Sequence, residues 1–205
     1  MSEFDEKAAT WDKDPTKVER AKIFAEIIRN KIDLSKVEMA LEYGSGTGLL
    51  SFSLAHDLHD ITLMDESVEM TKVTNDKCER LDIRHFHPIK YDLMEDELPE
   101  HKFELIYTAM TMHHVDDTNG ILKKFNEILN PGGHIVLIDL EEEDGSFHNF
   151  EFHGHLGFDK DTLEAKIEAN GFEPISYQIG YTITAERNGE MREYPVFVLV
   201  AKKIS

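Results

Sequence analysis

Three glycines at alternate positions are the residues of this sequence whose spacing most directly indicates a ligand site. They lie in the segment Gly44–Gly48, GSGTG, between a short apolar run and an apolar helical pattern. Glycine lets a backbone pass close to a ligand because it has no side chain. The free N–H groups at the start of the following helix can then hold polar ligand groups. The segment therefore predicts a cofactor-binding loop.

An acidic residue follows the glycines at the distance expected for a ribose ligand. Asp65 ends the next apolar run, and dinucleotide-binding folds carry such an acid about 20 residues after their glycines. The dinucleotide fingerprint is G-x-G-x-x-G, but Leu49 occupies its third glycine position here. The spacing favours an adenosine-containing cofactor other than a nicotinamide one. Helix capping or turn formation is the alternative role of Asp65.

Two groups of histidines are further candidates for chemistry. His113 and His114 follow an apolar strand pattern, and neutral histidine is a natural general base near pH 7. Packing in support of the loop is the alternative. His148, His153 and His155 form a second group, in which the H-x-H spacing suggests a metal. No nearby carboxylate completes a known metal motif, so we expect no metal there, and either pocket lining or a structural role.

The composition indicates one globular domain with few kinds of partner. The 205 residues are 40% hydrophobic, which is enough to form a core. The formal net charge of −19 disfavours binding to a nucleic-acid backbone or to an anionic membrane surface. A solvated acidic surface explains this charge, and an acidic docking face is the alternative.

The cysteine count and the lack of long apolar runs indicate the compartment. Cys78 is the only cysteine, which excludes an intramolecular disulfide and a multi-thiolate metal site. The amino-terminal residues lack the apolar core of a signal peptide, and no apolar run approaches the ~20 residues of a membrane span. We therefore predict a soluble cytoplasmic protein with no nucleic-acid or membrane partner.

Strand and helix patterns alternate along the chain, which predicts an α/β fold with a mostly parallel sheet. An Asn188-Gly189 turn between two strand-like segments predicts a closing antiparallel hairpin. Pro195 is expected at a strand start or edge because it cannot donate a ladder hydrogen bond. Strands are predicted at 37–43, 61–64, 83–89, 103–109, 135–138, 172–186 and 193–202. Helices are predicted at 15–32, from the glycine turn to about 56, from 67 onwards, at 116–129 and at 161–170. A turn is predicted at 130–133.

In this order and spacing, the motifs resemble class I S-adenosylmethionine-dependent methyltransferases. The resemblance is carried by LEYGSGTG, the acid in LMDES, Asp92 in YDL, the segment FELIYTAMTMHHV and the segment NPGGHIVLIDL. It is closest to the small-molecule branch similar to ubiquinone/menaquinone-biosynthesis methyltransferases. The resemblance implies a Rossmann-like three-layer sandwich, with a mostly parallel seven-stranded sheet and a C-terminal antiparallel hairpin.

The resemblance also assigns residues to S-adenosylmethionine. Glu42 would support the glycine loop or reach the ammonium of the cofactor, and a purely structural role is the alternative. Asp65 would bind the ribose hydroxyls. Asp92 would accept from the adenine amino group, unless it is simply an exposed loop acid. The implied cofactor-binding set is Glu42, Gly44, Ser45, Gly46, Asp65, Glu66, Asp92, Leu93 and Ala109.

On the acceptor side, the resemblance implies that the loop with His113 and His114 passes beneath the sulfonium and faces the substrate. These two histidines are the predicted catalytic residues. Trp11 would cover the site, with a hydrophobic anchor as the alternative, and His153 and His155 would line the substrate pocket. The predicted organisation is a single domain, 1–205, with an N-terminal lid and helix at 1–32 and a substrate-facing insert at 145–158.

The predicted function is in-line methyl transfer from S-adenosylmethionine to a small-molecule acceptor, by a monomer or homodimer. A cofactor-binding protein without turnover, acting as a sensor or partner subunit, is one alternative. A nicotinamide-dependent oxidoreductase is the other, although Leu49 and the terminal hairpin count against it. Cofactor preference and an activity measurement separate the three.

Overall fold

A computed structural model describes residues 3–204 of the chain, so residues 1, 2 and 205 of the predicted domain and lid lie outside the described residues. Short 3-10 turns at Ala8–Lys13, Leu34–Lys36 and Met112–His114 connect the main elements. In chain order these are α1 (Glu3–Lys7), α2 (Pro15–Lys31), β1 (Met39–Tyr43), α3 (Leu49–Ser53), β2 (Asp60–Asp65), α4 (Val68–Leu81), β3 (Phe86–Lys90), β4 (Phe103–Ala109), α5 (Thr118–Ile128), β5 (Leu129–Leu140), α6 (Lys160–Ala169), β6 (Phe172–Arg187) and β7 (Glu190–Lys203).

The strands form one seven-stranded sheet in the order β3-β2-β1-β4-β5-β7-β6. All neighbours are parallel except β7, which runs antiparallel to both β5 and β6. The predicted Rossmann-like fold with its closing hairpin is confirmed. The order reverses between β1 and β4, and ligands of such sheets bind outside the carboxyl ends of the strands at this switch point.

Helices cover both faces of the sheet. On one face, α2, α3 and α4 supply buried residues to a core that includes Val136 and Ile138 of β5. On the other face, α5 and α6 pack on Ile135 and Leu137 of the same strand. Successive side chains of a strand point to opposite faces, so an uninterrupted apolar run suits a strand that is buried on both sides.

Local capping signals set the starts of the helices that border the site. Asp14 caps α2, because its carboxylate accepts from the N–H of Thr16 at 2.9 Å, and Pro15 follows at the first helical position. Ser67 caps α4 in the same way through the N–H of Met70, at 3.1 Å. The position of α4 in turn orients the end of β2.

Two details of the C-terminal half differ from the sequence prediction. The predicted turn at residues 130–133 lies within β5, as a bulge between the pairs Phe103–Leu129 and Leu105–His134. Pro195 lies inside β7 instead of at a strand start or edge. The carbonyl of Pro195 accepts a hydrogen bond from the N–H of Glu141, just beyond the last β5–β7 pair. The nitrogen and the carbonyl of a strand residue face the same side. The nitrogen of Pro195 therefore lies where the β5–β7 ladder has ended, and no ladder hydrogen bond is lost there.

No helix within residues 3–204 is long and apolar enough to cross a membrane.

Candidate active site

A cavity of about 670 Å³ opens at the carboxyl ends of β1, β2 and β4, at the switch point of the sheet. Its volume lies in the usual range for small-molecule and cofactor sites. The glycine loop forms its floor, and the loop after β4 forms one side. The N-terminal elements α1 and α2 and part of the 145–158 segment complete its walls.

The glycines of the loop have two different functions in the structure. Gly44 and Gly46 both have positive φ angles, +65° and +53°, which favour glycine. A Cβ on Gly44 would lie 2.2 Å from Cγ2 of Thr111, so Gly44 permits the loop after β4 to pack closely. A Cβ on Gly46 would meet nothing nearer than Sδ of Met70, at 4.0 Å. Gly46 therefore leaves open cavity space where a ligand can approach the backbone.

Asp65 fastens the glycine loop to the end of β2. One carboxylate oxygen accepts from the N–H of Gly46 at 2.7 Å, and the other accepts from the N–H of Ser67 at 2.9 Å. Burial raises the pKa of Asp65, while these two donors oppose the shift. A carboxylate has about four acceptor positions, so the capacity to bind two ribose hydroxyls remains. The contact with Ser67 is the turn-forming role that the sequence analysis gave as the alternative.

Glu42 is 3% exposed and joins β1 to α3 beneath the loop. Its Oε2 accepts from the N–H of Ser51 at 3.2 Å and from the Ser51 hydroxyl. That hydroxyl also bonds to the hydroxyl of Tyr107, at 2.6 Å. Burial raises the pKa of Glu42 to about 8. Glu42 thus supports the start of α3 and also lines the cavity.

The residues predicted to bind adenine lie at the ends of β2 and β3. Glu66 and Asp92 line the cavity, and the pKa of Glu66 is raised by burial and then by the nearby charges of Asp92 and Asp65. Asp92 also accepts from the N–H of Met94 at 2.9 Å, which fixes its loop. Leu93 has a fully buried side chain, so only its backbone could serve the predicted adenine contact.

His113 forms a buried pair with Asp139, the last acidic residue of β5. Nδ1 of His113 lies 2.6 Å from Oδ1 of Asp139, and the backbone N–H of His113 donates to Oδ2 at 3.1 Å. His113 is 2% exposed and Asp139 is completely buried, yet His113 lines the cavity. The sequence analysis missed Asp139, although an acid inside an otherwise apolar strand is a signal that could have identified it.

Aromatic rings surround the second predicted catalytic residue, His114. The ring of Phe4 meets it edge-on at 5.2 Å, and Phe152 does the same from the opposite segment. His148 lies 5.9 Å from His114 and 5.6 Å from His113, between ring centroids. Of the second histidine group, His148 therefore faces the site, although the sequence analysis did not select it for the pocket.

His153 and His155 are not among the residues of the described chain that line the cavity, which corrects their predicted position. His155 instead holds the loop from behind. Its N–H donates to the carbonyl of His113 at 2.8 Å, and its Nε2 lies 3.0 Å from the carbonyl of Val115. His153 is exposed. Gly154, between the two histidines, packs directly against the carbonyl of His113.

The N-terminal segment covers the glycine loop through a polar contact. Asp12 accepts from the hydroxyl of Thr47 at 2.5 Å and from Nζ of Lys77 at 2.7 Å. Lys77 also donates to the carbonyl of Thr47, at 2.7 Å, so α4 holds both partners. Trp11 precedes Asp12 and lines the cavity, as do Ser45 and Ala109.

No three His, Cys, Asp or Glu side chains within residues 3–204 are grouped so that they could hold a metal ion.

The cavity, with its glycine cradle and its acid at the end of β2, fits a nucleoside-bearing cofactor. A family model described as a methyltransferase domain matches residues 18–177. The chain belongs to this methyltransferase family. The predicted class, S-adenosylmethionine-dependent methyltransferases of class I, is confirmed together with its cofactor.

Relatives of known sequence cover part of the chain. An uncharacterized methyltransferase of Schizosaccharomyces pombe is 27% identical over 143 residues, which are 66% of this chain and 49% of that protein. A demethylmenaquinone methyltransferase of Listeria welshimeri is 26% identical over 105 residues, or 50% of this chain and 44% of that protein. The chain thus spans about half the length of the curated relatives it matches.

Solved structures of low identity share the fold. The N-methyltransferase NodS of Bradyrhizobium japonicum matches with a TM-score of 0.68 at 17% identity, over 95% of this chain and 99% of NodS. A second NodS structure, in complex with S-adenosylhomocysteine, matches with a TM-score of 0.63 at 17% identity, over 84% of this chain and 82% of that one.

Proposed function

We propose that this methyltransferase transfers the methyl group of S-adenosylmethionine to a small-molecule acceptor that carries an ionisable O–H or N–H group. One observation supports the proposal most strongly. A single cavity is lined by the Gly46 cradle, by Asp65 and by His113 with its buried partner Asp139. Gly46 and Asp65 would form the nucleoside site, and His113 would be the proton acceptor in the same cavity.

The residues at β1, β2 and β3 would hold the cofactor. The backbone at Gly46 would receive its methionine part, Asp65 its ribose hydroxyls and Asp92 its adenine amino group. When bound, S-adenosylmethionine supplies a methyl group on a positively charged sulfur. The predicted cofactor contacts of Glu42, Gly44, Ser45, Glu66, Leu93 and Ala109 belong to the same proposal.

His113 would accept the proton of the acceptor. If Nδ1 of His113 donates to Asp139, Nε2 of the neutral ring is left as the basic nitrogen. Asp139 would be a positioning residue, because it selects the tautomer and the ring orientation without meeting the substrate. An acceptor that loses its proton to His113 becomes a better nucleophile for in-line displacement. His114, whose ring centroid lies 4.2 Å from that of His113, would contact the acceptor.

The N-terminal segment would act as a lid that excludes water. Trp11 lines the cavity, and the contact of Asp12 with Lys77 and Thr47 holds the segment closed over the glycine loop. Holding two reactants close and in line contributes much of such catalysis, and a dry site strengthens it. We further propose a cytoplasmic protein that acts as a monomer or homodimer on small molecules, and the net charge of −19 supports a substrate other than nucleic acid.

Transfer of a radiolabelled methyl group tests the function. The protein is incubated with labelled S-adenosylmethionine and fractionated metabolites, and label is counted in the small-molecule and protein fractions. We expect label in a small molecule, and we expect His113→Ala and Asp139→Asn to reduce the rate about 10²- to 10⁴-fold without loss of S-adenosylhomocysteine binding. Cofactor binding without transfer to any fraction would instead support a protein without turnover.

A further inference from the structure

One wall of the cavity carries cations, although the chain as a whole is strongly acidic. The net charge is −19, yet the cavity wall formed by the N-terminal elements and the hairpin side includes Lys7, Lys17, Arg20 and Arg187. The predicted ribose and adenine end of the same cavity carries acids. Asp14 also lines this wall and pairs with Lys17, but the cations outnumber it, and such a local excess of positive charge attracts anions.

Arg20 differs from the other members of this wall in its direct contacts with residues 3–204. Lys17 pairs with Asp14 at 2.8 Å, and Arg29, further along the same helix, pairs with Asp57 at 2.8 Å. Arg20 is partly buried but forms no hydrogen bond or ion pair within residues 3–204. Burial lowers its pKa, which reflects the cost of removing the guanidinium from water. A guanidinium has five N–H donors, and in the cavity these are available to water or to a bound ligand.

The position of Arg20 indicates which ligand this is. Phe24 and Ile27, further along α2, pack against Gly180 of β6, and the carboxylates of Asp14 and Asp139 lie near enough to Arg20 to oppose the lowering of its pKa by burial. Arg20 therefore lies at the β5–β6 end of the cavity, near the His113–Asp139 pair. The residues expected to hold ribose and adenine lie on the opposite side of the sheet, at the ends of β2 and β3.

We propose that Arg20 binds an anionic oxygen group of the methyl acceptor, so that the substrate is an anionic small molecule such as a carboxylate or phosphate. This inference rests on the proposed function. Arginine binds such groups with two parallel hydrogen bonds, which would orient the acceptor as well as hold it. The carboxylate of the cofactor's methionine part is the other source of the same chemistry, and the experiment separates the two.

Calorimetric titrations with matched neutral and anionic probes test the proposal. The probes are benzoate against benzamide and phenyl phosphate against phenol, added with and without saturating S-adenosylhomocysteine. We expect the wild-type protein to prefer at least one anion by about tenfold or more, the range for a charge-assisted hydrogen bond. Arg20→Gln should abolish this preference, and Arg20→Lys should retain part of it. Arg29→Gln, a matched change outside the cavity, should leave it intact.

Each other result would overturn the proposal in a distinct way. Equal binding of anion and neutral partner by the wild-type protein would remove the anion site. A loss of about tenfold or more in S-adenosylhomocysteine affinity in Arg20→Gln, with the anion preference unchanged, would assign Arg20 to the cofactor. If S-adenosylhomocysteine does not bind even the wild-type protein, the proposed function fails, while the titrations without it still decide whether Arg20 binds anions.

Discussion

The buried carboxyl group of Glu42 should make the stability of this protein fall as the pH rises. Its pKa is about 8 in the folded chain, against a usual value of 4.5. At a pH between these two pKa values, Glu42 keeps its proton in the folded protein and releases it in the unfolded chain. Stability therefore decreases with increasing pH by about 1.4 kcal/mol per pH unit, and by about 5 kcal/mol over the whole interval. The contribution of Glu42 is complete below about pH 4.5.

Glu42→Gln removes this titration and keeps the shape of the side chain. The Gln carbonyl oxygen can still accept from the N–H and hydroxyl of Ser51. We expect the free energy of unfolding of the variant to depend less on pH between about 5 and 8. The stability of the variant relative to the wild-type protein should therefore increase as the pH rises. Urea unfolding at several pH values, followed by circular dichroism, measures this difference.

A matched control is Glu38→Gln, which changes an exposed carboxylate just before the same strand. The control should follow the wild-type pH profile. If Glu42→Gln also follows it, Glu42 is ionised in the folded protein, and the account of a protonated carboxyl beneath the glycine loop is wrong.

Four further substitutions address the ribose acid, the glycine loop and the lid. Asp65→Ala should weaken S-adenosylhomocysteine binding by about 1.5–3 kcal/mol in calorimetry, and unchanged affinity would refute its ribose role. Gly46→Ala should reduce cofactor affinity more than stability, whereas Gly44→Ala should mainly lower the thermal unfolding temperature because its Cβ would clash. The opposite pattern would reverse these two assignments. Lys77→Met should release Asp12 and speed proteolysis of the N-terminal segment, and protection equal to wild type would show that this ion pair does not hold the lid.

The sequence could predict those parts of the fold and site that depend on local spacing. The cap at Asp14, the glycine loop and the Asn188-Gly189 hairpin all involve residues close together in the chain, and each lies where the pattern indicates. The sequence could also predict the place of Asp65 at the end of β2, because dinucleotide-binding folds carry an acid at this distance from their glycines.

The contacts that the sequence could not predict join distant segments. Asp139 meets His113 only because β4 and β5 pair side by side, and its strand otherwise resembles plain core. Arg20 is one of several cations on α2, and its unpaired state depends on what packs around it. His153 and His155 could not be oriented from sequence, because the direction of an irregular loop is set by tertiary packing rather than by periodicity.

Cofactor preference tests the central claim most directly. The purified protein is titrated calorimetrically with S-adenosylhomocysteine and, separately, with NADH. The account predicts micromolar binding of the first, weakened in Asp65→Ala, and no binding of the second. Binding of NADH without binding of S-adenosylhomocysteine would contradict the account and indicate hydride-transfer chemistry instead.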